Sequence, residues 1–151
     1  MTRKSLRILA ALIVVASAAL PFYTCTSYVD EAGKAVEVEP GAALPPGVRA
    51  EVEAHRPIES FDLRELGSYV FMLAFVWPLV FVGIRAAVRR PRALRAILVL
   101  ELLLLLGSGW IFHAHSSVGE RAWGAAVGFA GLGLYAVAWA LEIAAGVRER
   151  E

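Results

Sequence analysis

The chain contains no asparagine and no glutamine, and only one of its 151 residues, Cys25, is a cysteine. It therefore has no N-glycosylation acceptor, and buried side-chain amides cannot join its helices. A single cysteine also excludes an intramolecular disulfide and a CxxC redox pair. No nucleophile triad, phosphate-binding glycine loop or nucleic-acid-binding signature is visible. We therefore expect no enzymatic activity, no cofactor and no nucleic-acid partner.

Long apolar runs are what the sequence has in excess. Apolar residues make up 58% of the chain and the mean hydropathy is +0.62, both above the usual values for globular proteins. They are concentrated in four segments, 6–23, 66–84, 96–113 and 122–146. Each segment is close to the ~20 residues that a helix needs to cross the hydrocarbon of a bilayer. The pattern predicts an all-α integral membrane protein whose four transmembrane helices form an antiparallel bundle.

The charge distribution sets the predicted orientation. The turn 85–95 carries five arginines, whereas the loop 24–65 has nine acidic and four basic residues, a net charge of −5. Basic residues beside a span resist translocation, so we expect this turn, residues 1–5 and the tail 147–151 in the cytoplasm. There the arginines would face anionic lipid headgroups. The loop 24–65 and the short turn 114–121 then lie outside.

The composition also bears on the source and the location. Arginine far exceeds lysine and alanine is abundant, which favours a bacterial source. Together with the four spans, this predicts a multi-pass protein of the bacterial inner (plasma) membrane, with both termini in the cytoplasm and the lipid bilayer as its first partner.

The first apolar segment has two interpretations. Basic residues precede it and Ala16-Ser17-Ala18 resembles a cleavage site, as in a secretory signal peptide. The apolar stretch continues to Tyr23, however, which gives it the length of an uncleaved anchor, and this is the interpretation we prefer. A lipoprotein site at Cys25 is disfavoured because the three preceding residues, Phe22-Tyr23-Thr24, are not small.

The loop 24–65 is predicted to form a small extracytoplasmic element. β-prone runs at 26–29 and 35–39 flank a glycine-containing turn at 30–34, which predicts a β-hairpin. Residues 48–55 are predicted to form a short helix that ends before Pro57. Capping-box patterns at 62–65 and 117–120 predict the starts of the second and fourth spans. An isolated hairpin is only marginally stable, so this one must rest on the bundle or on a partner.

Glu101 is the main candidate site residue. It falls ~4–5 Å from the centre of the third span at 1.5 Å per residue, where a carboxylate needs a partner, a cavity or a proton. Tyr135 in the fourth span lies at a similar depth. So does Pro78 in the second, whose missing N–H frees the carbonyl of Ala74. We expect one polar layer in which a neutral Glu101 donates to Ala74 or Tyr135, either as a packing device or as a proton or ion site.

Two more patterns follow helical spacing. Ser108 and His115 follow Glu101 at intervals of seven, which predicts a polar stripe toward the outside, although leucines on the same stripe favour packing. Gly124, Gly128 and Gly131 give the fourth span a small face, which serves either internal packing or self-association.

The remaining polar and aromatic residues are assigned to the interfaces. His55, His113 and His115 fall outside and are weak candidates for a metal site, since no CxxC or HExxH accompanies them. We expect no metal. Glu142 is predicted to be solvated at the inner interface. Five aromatic residues are predicted to anchor the spans at the outer interface: Tyr23, Tyr69, Trp110, Phe112 and Trp123.

The layout, with a long first outer loop and a short second one, is similar to that of claudin-type proteins. That family's paired loop cysteines and tryptophan motif are absent, because the loop has only Cys25 and no Trp. We expect a non-enzymatic subunit, scaffold or assembly component of a membrane complex, with a protein partner at loop 24–65 or self-association through the fourth span. The alternative is a small proton-coupled transporter or ion-conducting protein that uses Glu101.

Overall fold

The computed structural model describes residues 2–39, 43–62, 64–88 and 90–148. Most of them belong to four helices, namely α1 (Arg3–Ser17), α2 (Leu66–Ala87), α3 (Pro91–Ser116) and α4 (Trp123–Arg148). A short 3₁₀ helix, Pro57–Ser60, precedes α2. The remainder includes an antiparallel sheet of three strands, β1 (Tyr23–Val29), β2 (Arg49–His55) and β3 (Glu120–Arg121), in the order β2-β1-β3. We call the end of the bundle beside this sheet the sheet end, and the end where α2 finishes and α3 begins the turn end.

Three of the helices are long and apolar enough to cross a membrane. They are α2, α3 and the Trp123–Ala145 part of α4, with mean hydropathies of 2.1, 2.0 and 1.6. Their outer surfaces are apolar: Leu103, Leu106 and Trp110 of α3 are 60%, 66% and 72% exposed. So large an apolar surface is unfavourable in water and typical of lipid contact. These helices indicate a membrane location.

The first helix is shorter and carries basic residues in its first turns. Thr2 caps α1 by accepting the Ser5 N–H at 3.2 Å. The helix ends at Ser17, six residues before the predicted boundary, because the chain turns at 18–20 and enters β1. α1 then lies antiparallel to α4, with Arg7 beside Glu142 near the turn end and Pro21 accepting the Gly124 N–H at 2.8 Å near the sheet end.

Glycines of α4 permit this close approach. A Cβ atom on Gly124 would lie 2.3 Å from the carbonyl oxygen of Pro21, and one on Gly131 would lie 2.8 Å from a methyl of Val14. On Gly128 it would meet the Phe112 ring at 2.8 Å. The small face of α4 therefore packs internally, against α1, the residues that follow it and the aromatic core.

The core contains two aromatic groups. Near the sheet end, Phe22 packs edge-on against Phe75 and Phe112, with ring centroids 5.5 and 5.2 Å apart. Near the turn end, the Trp77 ring lies 5.1 Å from that of Tyr135. All five are nearly or fully buried. The prediction that Phe112 anchors the outer interface is therefore wrong, because its side chain points into the bundle rather than toward lipid.

The sheet replaces two of the predicted loop elements. Residues 49–55 form β2, not a helix: Ala50, Val52 and Ala54 alternate with polar residues, the period of a strand, and pair in register with β1 from Tyr23↔His55 to Val29↔Arg49. The predicted strand 35–39 is reduced to one bridge, Val29↔Ala35. The turn between them forms as expected, because the Asp30 carboxylate accepts the N–H groups of Ala32 and Lys34 and Gly33 adopts a φ of +77°.

Both predicted capping boxes are wrong. The Asp62 carboxylate accepts the Arg64 N–H at 2.8 Å, and α2 begins later, with Glu65 as its N-cap residue and no side-chain cap. Ser117 ends α3 instead of starting α4, and its hydroxyl donates to the Ala114 carbonyl at 2.8 Å. In each case the serine or aspartate satisfies a nearby turn, which is the local bonding that competes with helix capping.

Candidate functional site

One charged side chain from each helix converges in the half of the bundle near the turn end. They are Arg7 of α1, Arg85 of α2, Glu101 of α3 and Glu142 of α4. We call these four residues and Tyr135 the charged cluster. Two positive and two negative charges make it electrically neutral, which is the condition for placing charges among apolar helices.

The Glu101 carboxylate lies at the centre of the cluster. Glu101 is fully buried, with 0% exposure. The Tyr135 hydroxyl donates to Oε1 at 2.8 Å, and Nη1 of Arg85 donates to Oε2 at 2.8 Å. Arg7 approaches Oε1 to 3.8 Å as a second ion-pair partner. Both carboxylate oxygens are therefore engaged.

Glu142 closes the cluster on its exposed side. Nη2 of Arg7 lies 2.9 Å from Glu142 Oε2, and Arg85 pairs with the other oxygen. The Glu142 side chain is 36% exposed, while those of Arg7 and Arg85 are 8% and 9% exposed. Each arginine thus bridges both carboxylates. Glu142, predicted to be a solvated interfacial residue, is partly exposed, but its carboxylate is ion-paired with two buried guanidinium groups.

Arg7 is held in place by a ring as well as by charge. Its guanidinium carbon lies 5.3 Å from the centre of the Tyr135 ring, within the range of a cation–π contact. Tyr135 therefore contacts the cluster twice, through its hydroxyl at Glu101 and through its ring at Arg7. One atom of the cluster, Arg7 Nη2, is buried without a hydrogen bond of acceptable geometry even though it is ion-paired.

The predicted polar layer is brought together only in part. Glu101 and Tyr135 meet, but Glu101 accepts from Tyr135 and Arg85, whereas a neutral donor was expected. Ala74 instead packs with Phe75 and Phe112 in the core near the sheet end, and Pro78 is fully buried within α2. Glu101 pairs with Arg85 rather than with the Ala74 carbonyl because charge-assisted hydrogen bonds are about twice as strong as neutral ones.

The predicted polar stripe on α3 is interrupted by aromatic rings. The buried Ser108 hydroxyl accepts the indole N–H of Trp77 at 2.8 Å. His115 lies among the rings of Phe71 and Tyr23, with centroids 4.8 and 5.1 Å away. Phe112, between these two positions on α3, is fully buried. The stripe faces inward, but packed rings separate its polar groups.

The three histidines have separate surroundings. His55 stacks on Tyr23 at 4.7 Å, and His113 Nδ1 lies 3.3 Å from Arg121 Nη2. Nε2 of His115 is buried without a hydrogen bond. Among the residues that the structure describes, no three His, Cys, Asp or Glu side chains come close enough to hold a metal ion.

Arg7 and Arg85 were not predicted as partners of Glu101. The sequence does contain a signal for Arg7. A carboxylate inside an apolar segment needs a cation, and Arg7 lies inside the first apolar segment. Arg85 was grouped with the arginine turn. The sequence does not say which of five closely spaced arginines turns back into the bundle, since that depends on the rotation of α2.

A cavity of about 230 Å³ adjoins the charged cluster between α1 and α2. Its lining includes three cluster residues, together with Lys4, Val82 and Ala86. The cluster itself can fix the helices to one another and can present positive charge to this cavity. Comparison of the chain with protein-family models, with curated proteins and with solved structures finds no match.

Proposed function

We propose that this chain is a non-enzymatic component of a membrane complex of the bacterial inner membrane. In this proposal four helices anchor the protein with both termini in the cytoplasm, and the sheet outside binds a partner protein. The proposal rests on the outer edge of β2. This edge is exposed, and backbone hydrogen bonds fix the strand to the helix bundle.

The depth of α1 supports a four-span arrangement. α1 alone is 15 residues long, about 22 Å at 1.5 Å per residue. With the residues that follow it, it contacts α4 from Glu142 to Gly124, a stretch of about 27 Å at the same rise. That is close to the ~30 Å hydrocarbon thickness of a bilayer. The arginines near the turn end favour the cytoplasm for that end.

The charged cluster supports a structural rather than a transport role for Glu101. A carboxylate that accepts from a tyrosine and an arginine, with a second arginine nearby, has no free oxygen for a passing ion. It also joins α3 to α1, α2 and α4 at a single point. Self-association through the glycine face of α4 has less support, because α1 occupies that face.

The exposed strand β2 supports protein binding. Six of its seven residues are exposed, and Val52 is 66% exposed. Among the described strands, β1 alone pairs with it, so the backbone groups of its outer edge are available to an added strand. β2 carries two glutamates: Glu51 accepts from Arg49 at 2.8 Å, and the Glu53 side chain is 76% exposed. We therefore propose an extended partner segment that carries basic side chains.

The sheet is fixed to the bundle by backbone hydrogen bonds. The Phe22 N–H donates to the His55 carbonyl at 2.9 Å, and the Ile58 N–H donates to the Ala18 carbonyl at 3.0 Å. Ala122, before α4, donates its N–H to the Phe22 carbonyl at 3.1 Å. A strand held in this way loses little conformational entropy when a partner binds, which favours affinity.

Photo-cross-linking in native membranes tests the proposal. A photoreactive residue at Val52 should give a discrete cross-linked band, and Glu51→Lys with Glu53→Lys should abolish it. The matched control is Glu37→Lys with Glu39→Lys, the same charge change in the same loop. There the neighbouring Val36 N–H donates to the Tyr28 carbonyl, on the side of β1 away from β2. A clean monomer without a cross-linked partner would contradict the proposal.

The competing proposal is a proton-coupled transporter or an ion-conducting protein that uses Glu101. It is favoured by the depth of this carboxylate and by the cavity beside its two arginines. Reconstituted protein should then show flux in proteoliposomes that Glu101→Gln abolishes and the exposed control Glu51→Gln leaves intact. Absence of flux from wild-type protein that cross-links at Val52 would leave the first proposal standing alone.

A further inference from the structure

We propose that the cavity between α1 and α2 near the turn end binds a phosphate group. The observations behind this proposal are independent of the sheet and of any protein partner. They are the chemistry of the cavity lining, the balance of charge around it and the unsatisfied donor on Arg7.

The lining supplies phosphate donors at short range. Arg7 and Arg85 line the cavity, and each side chain is more than nine-tenths buried, so neither is free to move into solvent. Lys4 lies at its exposed rim, one turn before Arg7 on α1. Arginine recognises phosphate through its planar fork, and lysine acts as a compact point charge. The three residues together can surround one anion.

The charge around the cavity is not balanced by the protein. The charged cluster is neutral, since Arg7 and Arg85 match Glu101 and Glu142. Lys4 adds one positive charge that none of these ion pairs includes. A bound anion would pair with this charge, which lies exposed at the rim of the cavity.

Arg7 Nη2 gives the second, independent indication. This atom is buried and has no hydrogen bond of acceptable geometry, although Glu142 Oε2 lies 2.9 Å away. A buried guanidinium N–H without a well-placed acceptor is unfavourable. A phosphate oxygen in the cavity would supply that acceptor. Glu142 does not exclude an anion, because both of its oxygens already contact arginines.

The size and position of the cavity fit a headgroup phosphate. About 230 Å³ is available, whereas one water takes about 30 Å³ in the liquid, so a phosphate and part of its glycerol can enter. The site lies near the ends of α1 and α2, beside Lys4 and Ala86. A free phosphate and an anionic lipid offer the same chemistry, and the experiment must separate them.

Calorimetric titration of the full-length protein in a non-ionic detergent tests the proposal. The probes are short-chain phosphatidylglycerol, short-chain phosphatidylcholine and inorganic phosphate. Lys4→Gln should weaken phosphatidylglycerol binding about fivefold, the size expected for one lysine at an anionic surface. The matched control Arg3→Gln removes an equal charge from the neighbouring position, which does not line the cavity, and should leave the affinity unchanged.

A second pair of variants tests the cavity without changing charge. Ala86→Leu fills space that Ala86 now borders, and should reduce binding at least tenfold, whereas Ala87→Leu adds the same bulk one residue further on and should not. Binding of phosphatidylglycerol with this variant pattern identifies a lipid site, and equal binding of inorganic phosphate identifies a soluble ligand. No binding of either anion, or equal losses from Lys4→Gln and Arg3→Gln, would overturn the proposal.

Discussion

Glu101 is a buried carboxylate that three other helices compensate. Its side chain is fully buried, and an ionised carboxylate among apolar helices is unfavourable unless its charge is compensated. Arg85 and Tyr135 bond to it directly, and Arg7 adds a second positive charge at 3.8 Å. The same partners that reduce this cost come from the other three helices. Glu101 therefore helps to specify how the four helices pack, since a rotated or shifted helix would leave a charge unpaired.

Replacing Glu101 tests this interpretation. Glu101→Gln keeps the shape but leaves two buried arginines with one carboxylate, and losing one partner of a buried ion pair costs about 3–5 kcal/mol. We expect a loss of that order in the free energy of unfolding, measured by SDS titration in mixed micelles. Glu142→Gln should cost less, because its side chain is 36% exposed and water can replace it. Wild-type stability for Glu101→Gln would contradict the prediction.

A second buried polar contact lies deeper in the core. The Trp77 indole N–H donates to Ser108 at 2.8 Å, and both residues are nearly fully buried. Ser108→Ala removes the acceptor and leaves a buried donor, which costs about 1–3 kcal/mol. We expect that loss in the same unfolding assay. In a double-mutant cycle Trp77→Phe should then be less destabilising in the Ser108→Ala background than in wild type, and full additivity would mean that the bond contributes nothing.

At the scale of elements, the interface between α1 and α4 is set by glycine. Gly124→Ala would place its methyl 2.3 Å from the Pro21 carbonyl oxygen, which is backbone and cannot swing away. Overpacking of this kind typically costs 1–3 kcal/mol. Gly133→Ala is the control, since its methyl would meet no heavy atom within 4 Å. We expect Gly124→Ala to lower stability in the unfolding assay and Gly133→Ala to be neutral or slightly stabilising.

Three long helices could be predicted from sequence, whereas the sheet could be predicted only in part, from β1 and the turn that follows it. The apolar segments between 66 and 146 are long enough to predict helices, and α2, α3 and α4 have the length and hydropathy of a membrane span. β2 has only small or exposed apolar residues, and its strand conformation depends on pairing with β1 across the intervening loop. Such long-range pairing leaves little local signal. The meeting of Glu101 with Tyr135 could be predicted from their matching positions along α3 and α4, but the choice of Arg85 as a partner could not.

The packing of α1 predicts that it remains in the mature protein. Ala10, Ala11 and Val14 are fully buried, and Arg7 supplies half of the positive charge of the cluster. Cleavage after Ala18 would expose Gly131 and its neighbours and leave Glu142 with one arginine. Intact mass spectrometry of protein extracted from membranes should therefore include residues 2–18. A mass that corresponds to a chain starting at residue 19 would identify the segment as a signal peptide.

The whole molecule is polarised along the axis of the bundle. The charged cluster, the cavity with Lys4 and the basic residues Arg90, Arg92 and Arg95 lie toward the turn end. The sheet, with Glu51 and Glu53 on β2, and the exposed ring of Trp123 lie at the other end. Cytoplasmic excess of basic residues and interfacial tryptophan are the two features that orient membrane proteins. Both the proposed partner site and the proposed phosphate site depend on this orientation.

Cysteine labelling measures that orientation directly. In a Cys25→Ser background the chain has no thiol, so single cysteines at Lys34 and Arg92, both exposed, report on the two ends. We expect an impermeant maleimide to label Lys34→Cys in intact cells and Arg92→Cys only after lysis, because translocating the arginine turn is unfavourable. Labelling of Arg92→Cys in intact cells would show that the protein has the opposite orientation. The edge of β2 would then face the cytoplasm, and the phosphate cavity would face the outer leaflet.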